Sequence, residues 1–204
     1  MTKIKLCGLT RPCDIAYANA LKPEFVGFVF VPGSKRFVTH AQAAELRKEL
    51  QNGIAPVGVF ADAPAAEILA LVEAQIISAV QLHGGETSDD IRALRRMVNC
   101  PIIQAVRVSH ARDIEKANAS AADEILLDAG GGSGVQFPHA LLAGVRRRFF
   151  LAGGLDSENV RRAIEKYRPY AVDASSWLET DGKKDYDKMA AFVNAVRNRK
   201  DVGI

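Results

Sequence analysis

Residues 25–50 read FVGFVFVPGSKRFVTHAQAAELRKEL, and this stretch decides the fold. Phe25–Phe30 is an unbroken apolar run of β-branched and aromatic residues around one glycine, the composition of a parallel strand covered on both faces. A polar peptide, Gly33-Ser34-Lys35-Arg36, follows it. Thr39 then opens a helical pattern that runs to Leu50, in the position where a hydroxyl accepts an orphan amide of the first turn. Strand, polar loop and helix follow one another in that order.

The same unit recurs along the chain. Strand-like cores are expected at Ile4–Leu6, Phe25–Phe30, Pro56–Phe60, Ala79–Leu82, Ile102–Val106, Glu124–Leu127, Phe149–Ala152 and Tyr170–Asp173. Helices are expected at Arg11–Leu21, Thr39–Leu50, Ala65–Glu73, Asp89–Met97, Ala111–Ala117, Pro138–Arg146, Ser157–Tyr167 and Asp187–Asn198. Thr39, Asp62, Ser88, Asp156 and Asp185 are expected at or near N-caps. Eight units in 204 residues leave about 25 residues each, and eight strands close a barrel that side chains can fill. No Pro/Gly-rich linker divides the chain, so residues 1–204 are read as one α/β domain. An open doubly wound sheet is the competing architecture.

Composition narrows the function. Lys plus Arg is 27 against 24 Asp plus Glu, a net charge of +3, without the concentrated basic face of a nucleic-acid binder. The run Arg146-Arg147-Arg148 is read as a helix end, where cations suit the macrodipole. No apolar run reaches the ~20 residues of a spanning helix and no leader is visible, so a soluble protein of the cytoplasm is expected, with no membrane partner. Three cysteines, an odd and small number, argue against a disulfide framework; if a cysteine matters, it matters as a thiol.

In a barrel, chemistry sits in the loops after the strands. Cys7 ends the first strand. A thiolate there is a competent base, though free cysteine ionises near ~8.5 and needs positive charge nearby; Lys5, Arg11 and Arg36 are the candidates. Asp128 ends the sixth strand and serves as an acid if burial raises its pKa. Gly130–Gly134 and Gly153-Gly154 offer amide nests for an anion, and the usual phosphate site after strands seven and eight falls at Gly153, Gly154, Ser175 and Ser176. Arg36 has the planar fork that holds a carboxylate or phosphate. His83 follows a strand and can orient a substrate. Each also has a plain structural reading: a buried apolar cysteine, a loop-capping aspartate, turn glycines, a solvated arginine, a structural histidine. Cys7, Cys13 and Cys100 lack metal-ligand spacing, so no metal is expected, and no P-loop lysine follows the glycines.

The ordered blocks Lys5-Leu6-Cys7-Gly8-Leu9-Thr10-Arg11, Gly27-Phe28-Val29-Phe30, Ser34-Lys35-Arg36, Gln81-Leu82-His83-Gly84, Leu127-Asp128, Gly131–Gly134, Ala152-Gly153-Gly154-Leu155, Asp173-Ala174-Ser175-Ser176 and Gly182-Lys183-Lys184-Asp185 resemble the phosphoribosylanthranilate isomerase family of tryptophan biosynthesis. The resemblance runs from residue 5 to residue 185. It implies a single (βα)8 TIM barrel, no cofactor, a small phosphorylated substrate, and a monomer, with a homodimer as the alternative. The reaction it implies is the Amadori rearrangement of N-(5′-phosphoribosyl)anthranilate. By resemblance Cys7 is the general base, Asp128 the general acid, Arg36 the carboxylate holder, His83 a wall residue, and Gly153, Gly154, Ser175 and Ser176 the phosphate site.

The chain departs from the family pattern in three places. Ser176-Trp177-Leu178-Glu179 stands where the family has Ser-Gly-Val-Glu, so Trp177 either crowds the phosphate or repacks the loop outward. The glycine loop after Asp128 is short, and Pro138-His139 replaces an Asp-Trp pair. Two rival readings remain at this point. A histidine-pathway aminoaldose isomerase would carry aspartate in place of Cys7. A barrel that only binds a phosphorylated metabolite draws support from Trp177 but not from Cys7 with Asp128.

Overall fold

The computed structural model describes residues 1–128 and 139–197. Eight parallel strands, β1 (Lys3–Cys7), β2 (Phe25–Val29), β3 (Ala55–Phe60), β4 (Ala79–Leu82), β5 (Ile102–Arg107), β6 (Glu124–Asp128), β7 (Phe149–Ala152) and β8 (Ala171–Ala174), close into a barrel in chain order. Closure is the pairing of β1 with β8, Lys3 opposite Ala171 and Lys5 opposite Asp173. It excludes the open sheet, whose two outer strands would keep a free edge. The helices are α1 (Pro12–Leu21), α2 (His40–Glu49), α3 (Ala65–Glu73), α4 (Ser88–Arg95), α5 (Ala111–Ala119), α6 (His139–Leu142), α7 (Val160–Tyr167) and α8 (Tyr186–Arg197). No described helix is long and apolar enough to cross a membrane.

Side chains alternate across each strand. In β1 and β2, Ile4, Leu6, Val26 and Phe28 belong to the main core with helix residues such as Ile15, Leu46 and Phe192. Burying Phe28 contributes roughly 1.5–3 kcal/mol, and Phe28→Ala would cost about 3–5 kcal/mol with the cavity included. A separate cluster of Val57, Ile103, Leu126 and Phe150 comes from the other face of the strands and fills the barrel. At the N-terminal end of the strands three rings close the barrel floor. Phe25 and Phe150 have centroids 5.4 Å apart, and Phe150 meets Tyr170 edge-on at 5.5 Å. Lys3 donates to the Tyr170 hydroxyl at 2.7 Å, and the Arg148 guanidinium lies 4.1 Å from the Tyr170 ring centroid.

Caps explain several boundaries. Thr39 accepts from the Gln42 amide while the Gln42 side chain accepts from the Thr39 amide, at 3.2 and 2.9 Å; losing such a cap costs about 1 kcal/mol. Asp185 accepts from the amides of Asp187 and Lys188 at the start of α8. Thr87, rather than Ser88, caps α4. Asp62 caps no helix: Pro64 precedes α3, and Asp62 accepts from the Gly85 amide at 2.8 Å, joining two neighbouring loops. Asp156 accepts from the amides of Glu158 and Asn159, so residues 157–159 form a turn and α7 begins only at Val160.

Two further expectations need correction. The helix read over Pro138–Arg146 ends at Leu142, where the chain turns through Gly144 and Val145. The arginine run does not close its own helix. Arg147 reaches across to donate to the carbonyls of Ala117, Ser120 and Ala122 at the end of α5, so the macrodipole it serves is a neighbour's. Arg148 pairs with Glu124.

One element was not anticipated. After a 3₁₀ turn at Ser176–Leu178, strands β9 (Glu179–Thr180) and β10 (Lys183–Lys184) form a hairpin. Its two-residue turn, Asp181-Gly182, has positive φ at both positions, +50° and +72°. Asp-Gly is the sequence that tolerates such a mirror-image turn.

Candidate active site

A cavity of about 400 Å³ opens at the C-terminal end of the barrel strands, within the size range of small-molecule sites. It is bordered by Cys7, Arg36, His83, Asp128, Gly153, Gly154, Ser175, Ser176 and Trp177. The eight expected site residues therefore meet in one place. The glycines Gly130–Gly134 lie outside the described residues.

Cys7 is the last residue of β1 and is 8% exposed. Its sulfur fits where β2 has Gly27; a Cβ added there would stand 2.6 Å from Sγ. Burial pushes the thiol above its ordinary pKa. Lys5 opposes that shift, Asp173 adds to it, and Lys184 opposes it. Of the three expected sources of positive charge, Lys5 is close. Arg11 is engaged elsewhere: its guanidinium binds Asp14 at 2.6 Å and the Lys184 carbonyl at 2.7 Å. Lys184 takes the place expected of it.

The residue after the thiol is Gly8, with φ +80°. The stem of Arg36 crosses directly above it, so close that a Cβ on Gly8 would meet Arg36 Cδ at 2.3 Å. A left-handed backbone and a missing side chain are both needed here. The Arg36 fork reaches Glu179 on the hairpin, Nε to Oε1 at 2.6 Å and Nη2 to Oε2 at 2.8 Å. That bond holds Arg36 above its ordinary pKa. Burial works against the Glu179 charge, but hydrogen bonds from Arg36 and Lys184 keep its pKa low. Lys184 itself is lowered by burial, with Glu179 opposing.

Asp128 ends β6, and its Oδ2 lies 3.5 Å from His83 Nε2. The other ring nitrogen of His83 lies 3.3 Å from Gln81 Nε2. Both side chains are partly open to solvent, His83 at 38% and Asp128 at 23%.

Gly153 and Gly154 follow β7 with φ +93° and +68°, a left-handed backbone that glycine adopts without steric cost. Ser175 is already engaged: its hydroxyl donates to the Cys7 carbonyl at 2.9 Å. Lys184 donates to the Ser175 carbonyl at 3.0 Å and to Glu179 at 2.5 Å. The hairpin thus ties the first, second and eighth loops together. Trp177 sits at the rim, 51% exposed, while Leu178 beside it is buried.

Sequence reading had singled out neither Glu179 nor Lys184. Both were visible only within motif blocks, and the Asp181-Gly182 turn that brings them together is the signal that would have found them.

The family model for N-(5′-phosphoribosyl)anthranilate isomerase matches residues 4–195. An isomerase of that name from Caldanaerobacter subterraneus is 40% identical over 204 residues, covering 97% of this chain and 98% of the relative. One from Endomicrobium trichonymphae is 41% identical over 203 residues, covering 97% and 100%. The crystal structure of phosphoribosylanthranilate isomerase from Thermotoga maritima superposes with a TM-score of 0.87 at 36% identity, covering 97% and 99%. A solved isomerase in complex with reduced 1-(o-carboxyphenylamino)-1-deoxyribulose 5-phosphate superposes at 0.84 with 35% identity, covering the same shares. The likeness spans fold, site and nearly the whole chain, and the chain belongs to the N-(5′-phosphoribosyl)anthranilate isomerase family.

Proposed function

We propose that this isomerase of tryptophan biosynthesis converts N-(5′-phosphoribosyl)anthranilate into 1-(2-carboxyphenylamino)-1-deoxyribulose 5-phosphate with Cys7 as base and Asp128 as acid. The observation that carries the assignment is that the two residues end β1 and β6 and border one cavity with Arg36. The reaction needs these two roles. An acid protonates the ribose ring oxygen, the C1–O bond breaks, and an iminium forms. A base then removes the proton from C2, and the resulting enolamine tautomerises to the ketose.

Asp128 supplies the first proton, with His83 beside it to hold the carboxyl. Cys7, as thiolate, takes the second. Burial leaves less thiolate in the free protein but makes each thiolate a stronger base. Arg36 receives the anthranilate carboxylate. Glu179 occupies the Nε–Nη2 edge of its guanidinium, and the Nη1–Nη2 edge remains for a second carboxylate in the same fork geometry. The phosphate is held at Gly153, Gly154, Ser175 and Ser176. Because the Ser175 hydroxyl already donates to Cys7, the amides and Ser176 do most of that work. Phosphate contacts made far from the reacting carbons position C1 and C2.

The test is a fluorescence assay of phosphoribosylanthranilate consumption. Cys7→Ala and Asp128→Ala should each lower kcat by at least ~10²-fold. Full activity in both variants would refute the assignment.

The protein is proposed to work in the cytoplasm with its three free thiols reduced. It is proposed as a monomer, although the Thermotoga maritima relative is described as dimeric. Among the described residues the large exposed apolar side chains are only Met1, Phe37, Met97, Trp177 and Tyr186, which is modest for an obligate interface. Sedimentation at micromolar concentration decides between the two states.

A further inference from the structure

A charged pair that the roles above do not use lies at the cavity wall, where Asp173 joins the lining. Lys5 is fully buried, and its Nζ bonds to Asp173 Oδ2 at 2.9 Å. Lys5 and Cys7 are two residues apart on β1, so both point into the barrel, and Asp173 is the register partner of Lys5 on β8. Asp173 Oδ1 is buried without a hydrogen-bond partner, as is Gln81 Oε1. A buried ion pair is a poor stability device; apolar residues of equal volume often replace one at little cost. Its position directly beneath the only thiol in the cavity requires another explanation.

We propose that Lys5 is a positioning residue for Cys7: its ammonium is the counterion waiting under the sulfur when the thiol ionises, and Asp173 limits how much of that charge the sulfur feels. The step balances simply. The S–H bond breaks, the proton leaves to solvent through the cavity mouth, and the electron pair stays on sulfur. Lys5 keeps its protons throughout. Burial works to discharge the ammonium, but Asp173 and Cys7 outweigh it and hold Lys5 above its ordinary pKa. The other charges that face the thiol are Lys184 from β10 and Arg36 from the second loop. Both are bonded to Glu179, so their charge is largely spent there. Lys5, which Asp173 and not Glu179 engages, acts on the thiol more strongly than Lys184 does.

The proposal rests on the reading of Cys7 as the base, but its test does not. The rate of iodoacetamide alkylation is followed against pH, residue by residue, by peptide mass mapping. Cys13 and Cys100, both partly exposed, serve as internal reporters of the fold. Lys5→Met should move the Cys7 midpoint up by about one pH unit or more, a tenfold loss of thiolate at fixed pH. Asp173→Asn should move it down. The base limb of kcat/KM should follow both shifts, with KM little changed.

A purely structural pair gives a different result. Loosening the site from either side would let water in and bring the thiol down toward its ordinary value in both variants. Shifts of the same sign, or no shift, overturn the proposal. If Lys5→Met does not fold, the double variant Lys5→Met/Asp173→Asn buries no lone charge and replaces it. It must titrate above Asp173→Asn alone; an equal or lower midpoint overturns the proposal. Should Cys7→Ala keep full turnover, the base assignment falls while opposite alkylation shifts still stand.

Discussion

Glu179 grips one edge of the Arg36 guanidinium through two hydrogen bonds, 2.6 and 2.8 Å long, and so fixes the plane of the fork at the border of the cavity. A free arginine would lose rotamer entropy each time it bound a carboxylate. Here much of that ordering precedes binding. Glu179→Gln keeps the shape but removes the charge-assisted pair, each bond of which is worth about 1.5–3 kcal/mol before solvent screening. Arg36 is partly exposed, so the expected effect is discounted to about a tenfold rise in KM, with kcat changed by less than about threefold. Steady-state kinetics on phosphoribosylanthranilate check the split; a fall confined to kcat would contradict it.

Gly27 makes room for the Cys7 sulfur. Gly27→Ala would place a methyl group 2.6 Å from Sγ, and the thiol must move. The expected outcome is a loss of about 1–3 kcal/mol of stability and a fall in kcat much larger than that loss explains. Thermal unfolding and kcat measured on the same preparation separate the two effects.

The pH profile has a defined sign. Burial raises the Cys7 pKa, so the proton is held more tightly than on a free thiol. Below that pKa the thiolate fraction falls tenfold per pH unit. The rate of Cys7 alkylation by iodoacetamide, which reads the thiolate alone, should therefore still be rising through pH ~8.5, the ordinary thiol value. A plateau already reached at pH 7 would show that the thiol is ionised there.

Acid stability should show the opposite sign at Asp185. Its pKa is lowered by the Thr180 hydroxyl and by the Lys188 and Asp187 amides at the start of α8. A depressed carboxylate stabilises the fold above its unfolded value, near ~3.9, and loses that contribution as pH falls through the folded value. Asp185→Ala should lower Tm at pH 7, and the two Tm curves should converge as pH falls through the depressed folded value. A difference that persists in acid would mean packing, not the cap charge, is responsible.

The strands were legible because each apolar run is bracketed by polar or glycine-rich peptides, and Ala79–Leu82 and Phe149–Ala152 have the expected bounds. Closure was not a local property. A parallel strand buried on both faces reads alike in a barrel and in an open sheet, and only Lys5 opposite Asp173 decides between them. Cys7 and Asp128 could be read as candidates because each ends an apolar run. Lys5 could be named as a nearby charge but not as a buried one, since a lysine's default place is the surface. Arg11 and Lys184 exchanged roles because their distances depend on a hairpin that brings residue 184 back over the first loop. The arginine run misled for a similar reason: its helix terminus belongs to another part of the chain.

The rings of Phe25, Phe150 and Tyr170, with Lys3 above them, give the barrel a sealed base. The cavity is therefore a well and not a pipe. Substrate enters, and product leaves, through one opening lined by the same loops. A second substrate cannot queue behind the first, and product cannot be pushed out from below. Turnover must proceed by strict exchange at the mouth, and accumulated product should act as a simple competitor of substrate, cured entirely by raising substrate concentration.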